Sequence, residues 1–190
     1  MPRTKVGRPS WDEWFILLTH LNASRATCDR FHAGAVIVKD RRIIATGFNG
    51  SPSGVEHCET AGCTVIDNHC VSTVHSEVNA ITSAAKLGIS LEGATMYVKG
   101  HPCLRCANTI ANSGITLVIT DQRYDYHQHV SAHSAEQKRA REVFAKAGVL
   151  TKTMDGDFLN AVRRLLADFS REDLLRVGEM VSAFLGESEK

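Results

Sequence analysis

The sequence predicts an α/β fold in which a mixed sheet is covered by helices. Two β-branched runs, AVIV and RRII, flank the polar residues Lys39, Asp40 and Arg41, which is the pattern of an antiparallel hairpin. The strand-like stretches TMYV (Thr95 to Val98) and ITLVIT lie on either side of a helical segment. A strand, a crossover helix and a strand in succession give a parallel pair, so hairpin and crossover together require a mixed sheet.

The elements follow in order. Ser10 with Glu13 three residues on has the form of a capping box, and Trp14, Leu17, Leu18 and Leu21 continue it with helical spacing. The hairpin comes next and ends around Gly47 to Gly50. From Ser51 to Val71 the chain is rich in turn residues, and a loop of that length needs an ordering force. Val78, Ile81 and Ala85 place a helix from about His75 to Leu87, with Gly88 as its stop. After TMYV, Pro102 is expected to open a helix that runs to about Asn112 and ends at Gly114, before ITLVIT. A helix from about Ala135 to Ala147 and an edge strand at VLTKT complete the sheet pattern. Beyond them, Phe158, Val162, Leu165 and Leu166, and then Leu174, Leu175, Val181 and Phe184, mark two further helices. The domain is therefore drawn at 1–154, with 155–190 as a C-terminal helical extension; core packing is the plain reading of that pair and a subunit interface the alternative.

A chain of 190 residues suits one compact domain. Its 22 Lys and Arg nearly cancel its 21 Asp and Glu, and no long basic run occurs, so neither a nucleic-acid polymer nor a membrane surface is the expected partner; a small molecule is. MPRTKVGRPSW lacks the apolar core of a signal peptide, and no apolar run approaches bilayer-spanning length. A cytoplasmic location is the expectation, and in a reducing compartment the six cysteines point to metal before disulfides.

Two fragments carry the chemistry: HSEVNA from His75, and HPCLRCAN from His101. A catalytic zinc site takes three nitrogen or sulfur ligands and keeps one position open for water. His75, Cys103 and Cys106 supply such a set, each at or near a predicted helix start, where the helix dipole favours a thiolate. Glu77 stands two residues from His75, able to move protons without being a ligand. Taken singly, the cysteine pair fits a structural zinc knuckle, His75 a capping histidine, and Glu77 a favourable charge in a first helical turn. Jointly they make His-x-Glu followed by Pro-Cys-x-x-Cys, the signature of zinc nucleobase deaminases.

On that signature, and on ATCDRFHAGAVIVKDRRIIATGFNGSPSG, GATMYVKGHPCLRCANTIANSGITLVI and the nearby Tyr124, the chain resembles the cytidine deaminase superfamily and within it the deoxycytidylate (dCMP) deaminase family. The resemblance implies a three-layer α/β/α fold around a mixed central sheet of about five strands. It also implies zinc-dependent hydrolysis of dCMP to dUMP and ammonia, supplying dUMP for thymidylate synthesis. It assigns Glu77 to ring N3, the backbone N–H of Ser76 to the C2 carbonyl and the backbone C=O of His101 to the departing amine. Asn49 is assigned to the sugar, Tyr124 to closing the pocket and Arg30 to the 5′-phosphate. The residue-level alternatives are a turn asparagine, a half-buried tyrosine and a solvated arginine. Where the family commonly has alanine, valine and a smaller residue, this chain has Ser76, Ala33 and His101; the His101 side chain is expected to face solvent.

Cys28, Cys58, Cys63 and Cys70 share no short motif, yet three of them punctuate the long loop. Family members often carry a second, structural zinc there, and these four, with His57 or His69 as substitutes, are the expected ligands. Buried free thiols are the alternative. Many members are hexamers with dCTP and dTTP as effectors, and a homo-oligomer is expected on the same ground. Two other functions stay open: a deaminase of another nucleotide, dCTP or an adenine nucleotide, and a non-catalytic, zinc-stabilised accessory protein of the same fold.

Overall fold

A computed structural model describes residues 8–66, 69–121 and 132–154. Helix α1 (Trp11–Ala23) opens on the expected capping box: Ser10 Oγ accepts from the Glu13 N–H at 3.2 Å, and the Glu13 carboxylate accepts from the Ser10 N–H at 2.7 Å. Strands β1 (Gly34–Lys39) and β2 (Arg42–Phe48) form the hairpin, and Asp40 and Arg41 make its two-residue turn with φ of 50° and 61°. Aspartate tolerates that left-handed region; arginine enters it at a cost that the paired strands offset. The long loop contains a short helix, α2 (Cys58–Ala61), and a two-stranded ladder of β3 (Val65–Ile66) and β4 (His69–Cys70).

Then come α3 (Ser76–Lys86), β5 (Thr95–Val98), α4 (Leu104–Ala111), β6 (Leu117–Asp121), α5 (Ala132–Ala147) and β7 (Leu150–Met154). One expectation needs correction. Pro102 does not open α4: Cys103 is the N-cap, with φ −70° and ψ 170°, and the helix begins at Leu104. The extended backbone at Cys103 explains the offset, because an N-cap residue stands outside the helix it starts. Helix α5 begins about three residues earlier than its apolar spacing indicates.

The sheet has five strands in the order β2-β1-β5-β6-β7; β1 is antiparallel to both neighbours, and β5, β6 and β7 are parallel. Strand β1 is an interior strand and almost wholly buried, as the uninterrupted GAVIV requires. One sheet face packs α1 through Phe15, Ile16, Val36, Val38, Tyr97 and Ile119. The opposite face carries α3, α4 and α5 on a core that includes Ile37, Met96, Ala107, Ile110 and Phe144. The result is the three-layer α/β/α arrangement expected. Gly47 lets α3 lie directly on β2, since a Cβ there would stand 2.2 Å from the Ser76 carbonyl oxygen. Among the described residues no helix is long and apolar enough to cross a membrane. Tyr124 and the extension at 155–190 lie outside the described residues.

Candidate metal centre

Helices α3 and α4 bring the two fragments together. His75 is the N-cap of α3 as Cys103 is of α4, and both have extended backbones. Neither N-cap side chain makes a capping hydrogen bond. They face one another instead, with His75 Nδ1 3.5 Å from Cys103 Sγ and 3.4 Å from Cys106 Sγ. A tetrahedral zinc with bonds of ~2.0 Å to nitrogen and ~2.3 Å to sulfur places those atoms about 3.5 Å apart, so the three side chains fit the ion. Their ligand atoms all lie within 4.8 Å of one another. A fourth protein ligand is absent from this group among the described residues, which leaves a position open.

Charge is arranged to match. The hydrogen bond between the Cys106 and Cys103 thiols, backed by His75, pulls Cys103 down to about 3. The same contact to Cys103 lifts His75 to about 9 against the opposing effect of burial. Cys106, next to the Cys103 thiolate and buried, is pushed well up.

Glu77 is 5% exposed, and burial raises its carboxyl above the usual carboxylate range while His75 opposes the shift. Its Oε2 accepts a 2.9 Å hydrogen bond from the Ser76 hydroxyl. Sequence reasoning considered only the backbone of Ser76 and missed this side-chain contact. A cleft of about 510 Å³ opens over the three ligands, walled by Ile66, Val74, Val78, Arg105 and Glu136. Glu136, from α5, was not anticipated either: its Oε1 accepts from the Leu104 N–H at 3.3 Å.

Asn49 lies beside this region as a brace. Its Oδ1 accepts from the Ala33 N–H at 2.7 Å and its Nδ2 donates to the Phe31 carbonyl at 2.6 Å, fixing the turn before β1. His101 is half-buried and lines a separate cavity of about 100 Å³ beneath α5 with Thr120, Arg141 and Phe144, which corrects the solvent-facing expectation. Arg30 is half-buried on the segment leading to β1.

The other four cysteines converge. Cys28, Cys63 and Cys70 form one group able to hold a metal, and Asp29, Cys58 and Cys63 form another. Cys58 Sγ and Cys70 Sγ are 3.9 Å apart, near the S···S edge of about 3.8 Å for a tetrahedral zinc. Asp29 was not foreseen; it accepts the Cys63 thiol at 3.0 Å, and that bond raises Cys63. His57 caps α2 with its backbone and joins neither group; the His69 side chain lies outside the described residues.

Comparison with known proteins follows this geometry. The family described as the cytidine and deoxycytidylate deaminase zinc-binding region matches residues 9–122. ComE operon protein 2 of Bacillus subtilis is 36% identical over 187 residues, covering 96% of this chain and 90% of that protein. Deoxycytidylate deaminase of Mycobacterium phage D29 is 39% identical over 130 residues, covering 60% of this chain and 96% of that enzyme. The crystal structure of dCMP deaminase from cyanophage S-TIM5, in complex with dCMP and dUMP, superposes with a TM-score of 0.62 at 26% identity, over 78% of this chain and 99% of that one.

Proposed function

Because the chain belongs to the cytidine and deoxycytidylate deaminase family, we propose that it is a zinc-dependent dCMP deaminase, converting dCMP and water to dUMP and ammonia. The observation that carries this reading is a buried carboxylate, Glu77, beside three ligands that leave a fourth position open. A structural zinc has no use for such a group.

His75, Cys103 and Cys106 hold the zinc. When bound, the ion supplies Lewis acidity that brings the pKa of water it binds from ~15.7 towards ~7. Glu77 performs the proton transfers: it accepts one proton from the attacking water and delivers it to ring N3, then accepts the second from the new C4 hydroxyl and delivers it to the amine as the C4–N bond breaks and the C4 carbonyl forms. Burial, which raises its carboxyl above the usual carboxylate range, favours its holding a proton in transit. The Ser76 hydroxyl fixes the orientation of Oε2. The Ser76 N–H and the His101 C=O recognise the base, Asn49 contributes its remaining amide hydrogen towards the sugar, Arg30 takes the phosphate and Tyr124 closes over the nucleotide. Cys28, Cys58, Cys63 and Cys70 hold a second, structural zinc. Residues 1–154 form the deaminase domain, and 155–190 a helical extension. The protein is cytoplasmic and a homo-oligomer, with the hexamer and dCTP/dTTP control of the family.

The test supplies zinc-loaded protein with dCMP, dCTP, cytidine and deoxycytidine in turn and follows ammonia release. Preference for dCMP, abolished by Glu77→Gln with zinc retained, is expected. Turnover of dCTP in its place reassigns the substrate. A second reading, an accessory protein without turnover, is kept because ComE operon protein 2, whose match covers 96% of this chain, carries no activity in its name, whereas the phage deaminase matches 130 residues. Release of ammonia from none of the four compounds selects it.

A further inference from the structure

Helix α4 starts in an unusual way. A helix leaves its first N–H groups without internal partners, and an N-cap side chain normally takes one of them, as Ser10 does for α1. The N-cap of α4 is Cys103, whose sulfur faces His75 and makes no capping bond. The N–H of Leu104, the first residue of the helix, is met from another element: Glu136 Oε1 on α5 lies 3.3 Å away. Leu104 sits between the two sulfur ligands, Cys103 and Cys106, and Glu136 lines the cleft over them.

We propose that Glu136 is a positioning residue that substitutes for the missing N-cap of α4 and so holds the turn carrying Cys103 and Cys106 in its metal-binding geometry. The carboxylate acts through the Leu104 N–H and on the positive end of the helix dipole, and it requires no contact with substrate. The inference rests on the metal-site reading of His75, Cys103 and Cys106 and is independent of which nucleotide is deaminated.

A mutant cycle on the intact chain tests it. Glu136→Ala removes the acceptor while keeping a strong helix former on α5. Leu104→Pro removes the donor; proline suits a first helical position, and Cys103 already has the extended backbone that a residue before proline requires. Cobalt(II) replaces zinc, its affinity measured by chelator competition and its geometry by visible and thiolate charge-transfer absorption. Glu136→Ala is expected to weaken cobalt roughly ten- to a hundredfold, the effect of losing a group that orients a ligand, and to shift the spectrum. Glu136→Gln, which keeps an acceptor oxygen, retains most of the affinity. Glu136→Ala placed on Leu104→Pro adds little to the loss caused by proline alone. Wild-type affinity and spectrum in Glu136→Ala, or losses that multiply in the double variant, overturn the proposal. If the wild type binds cobalt yet releases no ammonia from any nucleotide, the deaminase reading fails while these affinities still judge Glu136. Absence of thiolate absorption in the wild type overturns both.

Discussion

Gly47→Ala separates the placement of the site from the stability of the fold. The added methyl would stand 2.2 Å from the Ser76 carbonyl oxygen and 2.5 Å from the Ala80 nitrogen, both backbone atoms of α3. Ordinary contact begins near 3.4 Å, so α3 must withdraw from β2 by about 1 Å. Overpacking of this kind costs about 1–3 kcal/mol, and a domain of this size loses about 2–4 °C in Tm per kcal/mol. Helix α3 also carries His75 at its N-cap and Glu77 in its first turn, and a 1 Å displacement of catalytic groups costs about a hundredfold in rate. Gly34→Ala is the matched control, because its methyl would meet the Thr19 carbonyl oxygen at 2.0 Å and the Ala23 nitrogen at 2.8 Å, on α1 across the sheet. The assay is kcat for dCMP beside thermal unfolding at saturating zinc. Both variants are expected to lose comparable stability, and Gly47→Ala alone to lose about a hundredfold in kcat. Equal kcat in the two variants at equal Tm would refute the argument that contact with β2 sets the position of α3.

Three further outcomes are expected. Zinc binding at pH 7 displaces two protons from its ligands, one from His75, raised to about 9, and one from Cys106, raised by Cys103, while Cys103, lowered to about 3, has already lost its own. The His75 share disappears as pH rises through about 9; calorimetry of Glu77→Gln in buffers of different ionisation heat measures it, and release of fewer than one proton at pH 7 contradicts the assignment. Asn49→Ala strands the Ala33 N–H and the Phe31 carbonyl, and chemical unfolding is expected to show a loss of about 1–3 kcal/mol. Cys58→Ser is expected to reduce bound zinc by one equivalent and to raise KM for dCMP more than it lowers kcat, by metal analysis and steady-state kinetics.

How much of this was legible depends on the sequence distance of each contact. The convergence of His75 with Cys103 and Cys106 could be read because the two cysteines lie on one short turn and His75 and Glu77 on another, so local helix geometry fixes each half. The hairpin and the parallel strands were equally local, carried by β-branched runs that can hardly be buried otherwise. Pro102 misled by two residues because proline suits several positions around a helix start, and only the backbone at Cys103 distinguishes them. Glu136 left no signal at all: its partner is 32 residues away and belongs to the backbone, so no pairing of residue types betrays it. Asn49 was assigned to the sugar, with a turn asparagine as the alternative, and its bracing bonds were missed because they are made to the main chain of residues 31 and 33. Ser76 was read only for its N–H, although the hydroxyl lies within reach of its neighbour's carboxylate.

The two cysteine clusters meet at one structural element. The β3–β4 hairpin supplies Cys70 to the second cluster, while Ile66, Cys70 and Val71 line the cleft over His75, Cys103 and Cys106. Two residues per strand cannot sustain a hairpin by backbone pairing alone, and Val65, Ile66 and Val71 are 47–56% exposed, so burial contributes little. The order of that wall must then come from the sulfur cluster, which ties the hairpin to α2 through Cys58 and to the segment before β1 through Cys28. A metal there would shape the cleft without touching the reacting atoms. On the proposed reading it would act on how the nucleotide is held, and the chemistry would stay with the two helix starts that carry His75, Glu77, Cys103 and Cys106.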